Sequence, residues 1–226
     1  MILSILDGVI KSVPRSYPFR HLNGSVSINN ESVEEYRNLF PKREPYIPPY
    51  PELGRTITYI NGSSFWRNEL SEQVTHELIE NLIEKLNPPS YFEDGVPVWD
   101  KTFKLDYEYD WNFVEDFGGQ SEEEGWGFPP HTDAVSKMMS LLIPLSNKVE
   151  RSKFSGTSIY ESKNGVTSYN GERLDFKDFN EIYEYPHKAG SFTAIPKLIN
   201  SWHGVRPMVT LKGESRKTII LMVRRK

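Results

Sequence analysis

The chain has 226 residues, of which 37% are hydrophobic and 13% aromatic, and its formal net charge is −4. The hydrophobic content is enough for a packed core, and the negative charge argues against binding nucleic acid through clustered Lys and Arg. Because the chain has no cysteine, disulfides, zinc–thiolate sites, iron–sulfur clusters and cysteine nucleophiles are excluded. Any metal site must therefore use histidine and carboxylate ligands.

The first ten residues, MILSILDGVI, contain a short apolar stretch that Asp7 interrupts and that no basic region precedes. This pattern is a poor match to a signal peptide. No apolar run reaches the roughly 18 residues that a membrane span needs. We therefore expect a cytoplasmic protein without a membrane partner.

The next elements are a short helix and a short strand. Asn30 or Ser32 is the candidate cap of a helix that runs to Leu39 and ends before Pro41. Residues 55–60, with the sequence RTITYI, alternate weakly between apolar and polar and predict a strand.

The clearest predicted helix lies within residues 69–89. Its leading apolar residues recur every four positions, at Leu70, Val74, Leu78, Leu82 and Leu86. This spacing places them on one helix face that packs against a core, and two prolines end the element. His76 lies on the same helix among polar neighbours, which favours a surface position.

From about residue 97 the pattern changes to short, β-rich runs. The predicted strands are 102–111, 136–145, 156–162, 189–196, 201–208 and 216–223. Short strands separated by turn residues favour an all-β barrel or sandwich that follows a helical N-terminal part. We expect a single domain over 1–226, with a mixed, helical support over about 1–96 and a β core over about 97–226.

Three residues are candidate metal ligands. His131 and Asp133 stand two apart just before a predicted strand, so both point the same way if the backbone there is extended. An ordinary capped turn is the alternative. His203 lies seventy residues after Asp133, and its alternative is a core histidine bonded to the backbone. Two histidines and one carboxylate on one side of an ion leave positions open, which suits non-haem Fe(II).

The last predicted strand carries a candidate carboxylate-binding pair. Arg216 and Thr218 share a strand face with Ile220 and Met222. A guanidinium inside an apolar barrel needs an anion, because an unpaired buried charge is costly. The distal carboxylate of a 2-oxo acid would supply it in bidentate geometry. The alternatives are a surface position for Arg216 and simple β propensity for Thr218.

The order His131-x-Asp133, His203 and Arg216-x-Thr218, with SLLIPLS, GTSIYES and KAGSFTAIP between them, resembles the 2-oxoglutarate/Fe(II)-dependent dioxygenases of the prolyl-4-hydroxylase-like branch. The resemblance covers roughly residues 100–223. It implies a double-stranded β-helix, a jelly-roll or cupin-like barrel. It also implies that His131, Asp133 and His203 are the catalytic iron ligands, and that Arg216 and Thr218 bind 2-oxoglutarate.

The same resemblance implies the chemistry. Fe(II), 2-oxoglutarate and O₂ would be required, and ascorbate is a candidate reductant. A small-molecule or peptidyl substrate would be hydroxylated while 2-oxoglutarate is decarboxylated to succinate and CO₂.

The substrate contacts are predicted from position. Residues 115–130 are acidic and aromatic, and form either a solvated hairpin tip or a mobile lid over the iron. In the lid hypothesis Trp126 and the nearby Asn112 or Tyr109 face the pocket. Arg206 is a candidate contact for an acidic substrate, with a surface salt bridge as the alternative.

Two other functions compete with a hydroxylase, since a fold alone does not fix function. One is a non-catalytic metal- or carbohydrate-binding protein on the same barrel, which has no need of a carboxylate-binding Arg216. The other is a zinc hydrolase, for which the sequence shows no evident general base beside the ligands.

Overall fold

The computed structural model describes residues 1–41, 55–59, 64–102, 105–117, 126–146, 152 and 154–226. The helices in these ranges are α1 (Ile2–Lys11), α2 (Asn30–Asn38), α3 (Ser64–Glu69) and α4 (Glu72–Leu86). The first strands are β1 (Leu22–Ser25), β2 (Arg55–Tyr59), β3 (Tyr91–Glu93), β4 (Val96–Val98), β5 (Tyr107–Asp116) and β6 (Trp126–His131). The others are β7 (Lys137–Pro144), β8 (Thr157–Ser162), β9 (Phe179–Tyr185), β10 (Ser191–Pro196), β11 (His203–Met208) and β12 (Arg216–Arg225). None of the described helices has the length and apolar character of a membrane span.

The predicted helices are present, and two further helices, α1 and α3, were missed. Helix α1 occupies the apolar start of the chain, where Ile2, Ile5, Leu6 and Val9 follow helical spacing and are all buried. The sequence was compared there only with a signal peptide, which it matches poorly, so its helical period was overlooked. Helix α4 confirms the period-four prediction.

Helix α2 is capped by a residue outside the predicted pair. The side chain of Asn29 accepts a hydrogen bond from the backbone N–H of Ser32 at 2.7 Å, so Asn29 is the N-cap. The predicted caps, Asn30 and Ser32, both lie inside the helix, and that prediction was wrong. The helix ends at Asn38, ahead of Pro41 as expected.

Ten of the twelve described strands belong to two antiparallel sheets. The larger sheet has the order β1-β10-β7-β12-β5-β2, and the smaller has the order β6-β11-β8-β9. Strands β3 and β4 form a separate hairpin. Along the chain, β5, β7, β10 and β12 enter the larger sheet, while β6, β8, β9 and β11 enter the smaller one. The predicted mainly-β class with few helices is therefore confirmed.

The segment 115–130 is only partly a loop. Its first two residues end β5 and its last five belong to β6, while residues 118–125 lie outside the described part of the chain. Strand β6 was missed because it contains Pro129 and Pro130, which supply no backbone donor. Its position at the edge of the smaller sheet tolerates both prolines.

The two faces of the larger sheet have different roles. On β5, Trp111 and Phe113 point toward the helices and join a core with Leu78, Ile79 and Leu82 of α4. Burying an aliphatic side chain of this size contributes about 1.5–3 kcal/mol, so the helices hold the sheet firmly from one side. The residues that alternate with Trp111 and Phe113 face the smaller sheet, where the cavity lies.

Candidate functional site

A cavity of about 280 Å³ lies between the two sheets. Its apolar wall includes Ile57, Leu142, Ile220 and Met222 from the larger sheet, and Phe128 and Val205 from the smaller one. A largely apolar pocket with a few converging polar groups is the usual form of a small-molecule site. The polar side chains that line the cavity include those of His131, Asp133 and His203.

Strand pairing brings the three predicted ligands together. His131 ends β6 and lies directly opposite His203 of β11, and their ring centroids are 4.3 Å apart. Asp133 follows two residues after His131, beyond the end of the strand. One donor atom from each of the three side chains lies within 4.8 Å of the others, so the group could hold one metal ion.

Both imidazole rings are oriented by the backbone. Nδ1 of His131 lies 3.0 Å from the carbonyl oxygen of Pro129, and Nδ1 of His203 lies 2.9 Å from that of Ser201. Each Nδ1–H therefore donates to a carbonyl, which leaves the Nε2 lone pair for a metal. This is the usual outer arrangement around metal-binding histidines, and the donor set fits a divalent ion with open positions.

Asp133 is held as a carboxylate by two neighbours. Lys137 donates to Oδ1 at 2.6 Å, and the hydroxyl of Ser140 donates to Oδ2 at 3.0 Å. Burial alone would raise the pKa of Asp133, but the charge of Lys137 and the two nearby imidazoles lowers it instead. Burial lowers the pKa of His131 and of His203, so all three side chains are in the protonation states that metal binding requires.

Arg216 lines the cavity but already contacts a carboxylate of the chain. Its side chain is 2% exposed, and Nη1 donates to Oδ2 of Asp116 at 2.7 Å and to the hydroxyl of Thr218 at 3.2 Å. Nε donates to the carbonyl of Ser155 at 3.1 Å. The surface alternative for Arg216 is wrong. The sequence interpretation assumed that a bound ligand would have to supply the anion, and it overlooked Asp116.

The predicted substrate residues divide between the faces of the strands. Asn112 is buried on the inner face of β5, opposite the cavity residue Ile220, and its Nδ2 has no hydrogen-bond partner in the described part of the chain. Tyr109 lies on the outer face, where its ring meets His76 edge-on at 5.5 Å. Trp126 begins β6, but its side chain lies outside the described residues, as does the lid itself.

Arg206 lies away from the cavity. Its guanidinium is half-exposed and bonds Oε2 of Glu181 at 2.7 Å, with Glu184 at 3.7 Å. These contacts favour the surface salt bridge over a substrate contact, and such exposed pairs contribute little to stability.

The cavity also contains residues that sequence reasoning missed. Ser140 could have been predicted, because it stands two residues before Leu142 on the predicted strand and therefore shares its inner face. Lys137 and Arg173 carried no such signal, whereas Phe128 belongs to the aromatic segment 115–130 of the lid hypothesis. The guanidinium of Arg173 lies 4.5 Å from the ring centroid of Phe128, and that ring meets His131 edge-on at 4.5 Å.

The buried histidines predict that the stability of the protein falls in acid. Burial is the main cause that lowers the pKa of His21, His131, His187 and His203. Below the ordinary histidine pKa, about 6.5, the unfolded chain binds protons that the folded chain does not. Without added metal, the free energy of unfolding should therefore fall from about pH 7.5 to about pH 5.5, by up to about 1.4 kcal/mol per histidine per pH unit.

Urea denaturation at the two pH values measures this loss. His187→Leu removes one of the titrating groups and should flatten the dependence, whatever it does to stability at neutral pH. Equal unfolding free energies at both pH values would contradict the prediction.

Comparison with solved structures defines the class of fold. The chain superposes over its whole length on a prolyl-4-hydroxylase from Pseudomonas putida, with 14% identity, 100% coverage of that chain and a TM-score of 0.54. A second similar structure is a Trichoplax adhaerens prolyl hydroxylase in complex with a hypoxia inducible factor oxygen degradation domain peptide fragment. The alignment covers 99% of this chain and 88% of that chain, with 11% identity and a TM-score of 0.54. The chain covers 87% of the Fe(II)/(alpha)ketoglutarate-dependent dioxygenase TqaL, with 99% of this chain aligned, 10% identity and a TM-score of 0.55.

Comparison of the sequence with known families and curated proteins gives no match. No profile of a known protein family matches the chain, and no curated protein matches it. At these identities the likeness is one of fold, which is that of the prolyl hydroxylases and Fe(II)/2-oxoglutarate dioxygenases.

Proposed function

We propose that this protein is an Fe(II)- and 2-oxoglutarate-dependent dioxygenase that hydroxylates its substrate. The observation that carries the proposal is that two histidines, a carboxylate and a buried arginine converge on one cavity between two sheets. Strands β5–β12 enter the two sheets in the order larger, smaller, larger, smaller, smaller, larger, smaller, larger, which supports a double-stranded β-helix core. The division into an N-terminal support over 1–96 and a catalytic core over 97–226, within a single domain, belongs to the same proposal.

The chain's own side chains have separate tasks. His131, Asp133 and His203 hold the ion through two neutral imidazoles and one carboxylate. Arg216, with Thr218 beside it, binds the distal carboxylate of 2-oxoglutarate, and the apolar wall excludes water from the reacting groups. When bound, Fe(II) with O₂ supplies the oxidation, in which a substrate C–H becomes C–OH and 2-oxoglutarate becomes succinate and CO₂.

The substrate is a small molecule or a peptidyl group. The Trichoplax adhaerens structure contains a peptide fragment, which keeps a peptidyl substrate within the proposal. The segment 115–130, which includes Trp126, is the candidate lid, and ascorbate is the candidate reductant that maintains Fe(II).

Anaerobic titration tests the proposal. Adding Fe(II) and then 2-oxoglutarate should produce a weak visible charge-transfer band, and admitting air should release succinate. Protein that is loaded with metal but shows neither band nor succinate would contradict it.

The second candidate is a metal- or carbohydrate-binding protein without turnover. The observation in its favour is the ion pair between Arg216 and Asp116, because an arginine that already has a carboxylate does not require another. The same titration separates the two functions, since a binding protein takes up the metal but gives no band with 2-oxoglutarate.

Asn112 is a candidate ligand contact, because it lies on the face of β5 that points toward the smaller sheet. Its buried Nδ2 has no acceptor among the described residues, and a buried donor left unpaired costs about 1–3 kcal/mol. An oxygen of 2-oxoglutarate or of the substrate would supply that acceptor. Asn112→Ala should weaken the binding of one of these ligands by about tenfold, the effect of one hydrogen bond.

Tyr109→Phe is the matched control on the same strand. It alters a side chain of the outer face and should leave both affinities unchanged. The affinities are read from the anaerobic band for 2-oxoglutarate and from turnover for the substrate. If the Tyr109 variant lost affinity while the Asn112 variant did not, the assignment of the two faces would be wrong.

A further inference from the structure

A buried lysine lies directly behind the segment that carries two of the three ligands. Lys197 follows β10 and is 0% exposed. Its Nζ donates to the hydroxyl of Thr132 at 3.0 Å and to the carbonyl of Ser168 at 3.2 Å, and the Thr132 hydroxyl donates to the same carbonyl at 2.9 Å. The proposed chemistry uses none of these three groups.

Thr132 is the residue between the ligands. The hydroxyl of Thr132 accepts the hydrogen bond from Lys197, while His131 and Asp133 on either side of it supply donor atoms to the candidate metal group. A hydrogen bond to Thr132 therefore fixes the backbone from which both ligands project. Small displacements there would move two donor atoms at once.

Lys197 also joins this backbone to a second segment. The backbone N–H of Leu174 donates to the carbonyl of Pro130 at 2.9 Å, and Arg173 forms a β-bridge with His131. Gly171 packs so closely that an added Cβ would lie 3.0 Å from the carbonyl oxygen of Thr132. Ser168, at the start of this segment, is the point that Lys197 binds.

An ammonium group in this position has a cost that an apolar side chain would avoid. Burial lowers the pKa of Lys197 to about 8, and the nearby Asp133 carboxylate partly opposes that shift. A methionine would fill similar space without desolvation. The three donors of an ammonium are what methionine lacks, and two of them bind the ligand segment and its neighbour.

We propose that Lys197 is a positioning residue that fixes the His131–Asp133 segment against residues 168–174 and so sets the geometry of the metal ligands. This inference rests on the metal site of the proposed function. It assigns Lys197 no contact with the metal or the substrate.

Co(II) binding tests the role, because the visible spectrum of bound Co(II) reports ligand geometry. Lys197→Met should raise the Kd for Co(II) by about tenfold or more, the usual effect of losing a group that orients metal ligands, and should alter the spectrum. Lys85→Met is the matched control. Lys85 also donates to a backbone carbonyl, that of Ser12 at 2.8 Å, but it lies on α4 away from the site.

Substitutions of Thr132, which accepts the hydrogen bond from Lys197, provide an independent test. Thr132→Val should reproduce the loss, Thr132→Ser should retain the parent affinity, and the double variant with Lys197→Met should lose no more than either single one. The Thr132 pair decides the question if Lys197→Met does not fold.

Two outcomes would overturn the proposal in different ways. A Lys197→Met variant with a lowered melting temperature but the parent's Co(II) affinity and spectrum would make the lysine purely structural. A parent protein that binds no Co(II) would contradict the metal site, and with it both the proposed function and the role of Lys197.

Discussion

His131→Ala is expected to weaken Fe(II) binding at least about 100-fold and to abolish the visible band with 2-oxoglutarate. Groups that merely orient metal ligands contribute about 10- to 100-fold to affinity, so a direct ligand should contribute at least the upper value. Since His131 lies opposite His203 and two residues from Asp133, its loss leaves only two donors. Equilibrium dialysis of Fe(II) and anaerobic spectra measure the two effects.

His76→Ala is the control for this experiment. His76 is a partly exposed histidine on α4 that contacts Glu72 and Tyr107, so its loss should leave both readouts unchanged. A His131→Ala variant that still bound Fe(II) like the parent would mean that the two histidines and the aspartate are not the metal site.

Arg216→Met is expected to raise the 2-oxoglutarate concentration needed for half-maximal band intensity by about 10- to 100-fold. One charge-assisted hydrogen bond contributes about 1.5–3 kcal/mol, which corresponds to this range. Fe(II) affinity should stay close to that of the parent, because Arg216 lies on β12 and not among the metal ligands. Anaerobic titration with 2-oxoglutarate at saturating Fe(II) measures the change.

The same substitution also destabilises the fold, and this effect has to be separated from ligand binding. Asp116 would be left as a buried carboxylate without Arg216, at a cost of about 3–5 kcal/mol. The double variant Arg216→Met/Asp116→Asn removes both charges and should recover most of the lost stability. It should not recover 2-oxoglutarate affinity, and if it did, Arg216 would be a structural residue only.

The candidate site was more predictable from the sequence than its surroundings. His203 and Arg216 lie on predicted strands, and the spacing of His131 and Asp133 is visible in the residues themselves. Asp116 was not found, because its partnership with Arg216 depends on the antiparallel register of β5 and β12. Register is set by packing between distant segments, and a single sequence does not display it.

The secondary-structure predictions also succeeded where the determinants are local in sequence and failed where they are tertiary contacts. Helix α4 and the apolar strands were predicted because their spacing is a local property. Strand β6 was missed because its prolines oppose a strand locally, and only its place at a sheet edge makes them acceptable. Lys197 was missed because nothing in its neighbours along the chain indicates that its ammonium lies behind Thr132.

The backbone around His131 has a consequence for how the protein could acquire new specificity. His131 is fixed by its pairing with His203, its bridge to Arg173 and the hydrogen bond from Leu174 to Pro130. None of these ties involves the cavity residues Leu142, Ile220 and Met222 of the larger sheet. Those side chains can therefore be exchanged for others while His131 keeps its place, which makes the His131 segment and the apolar cavity wall separable targets for protein engineering.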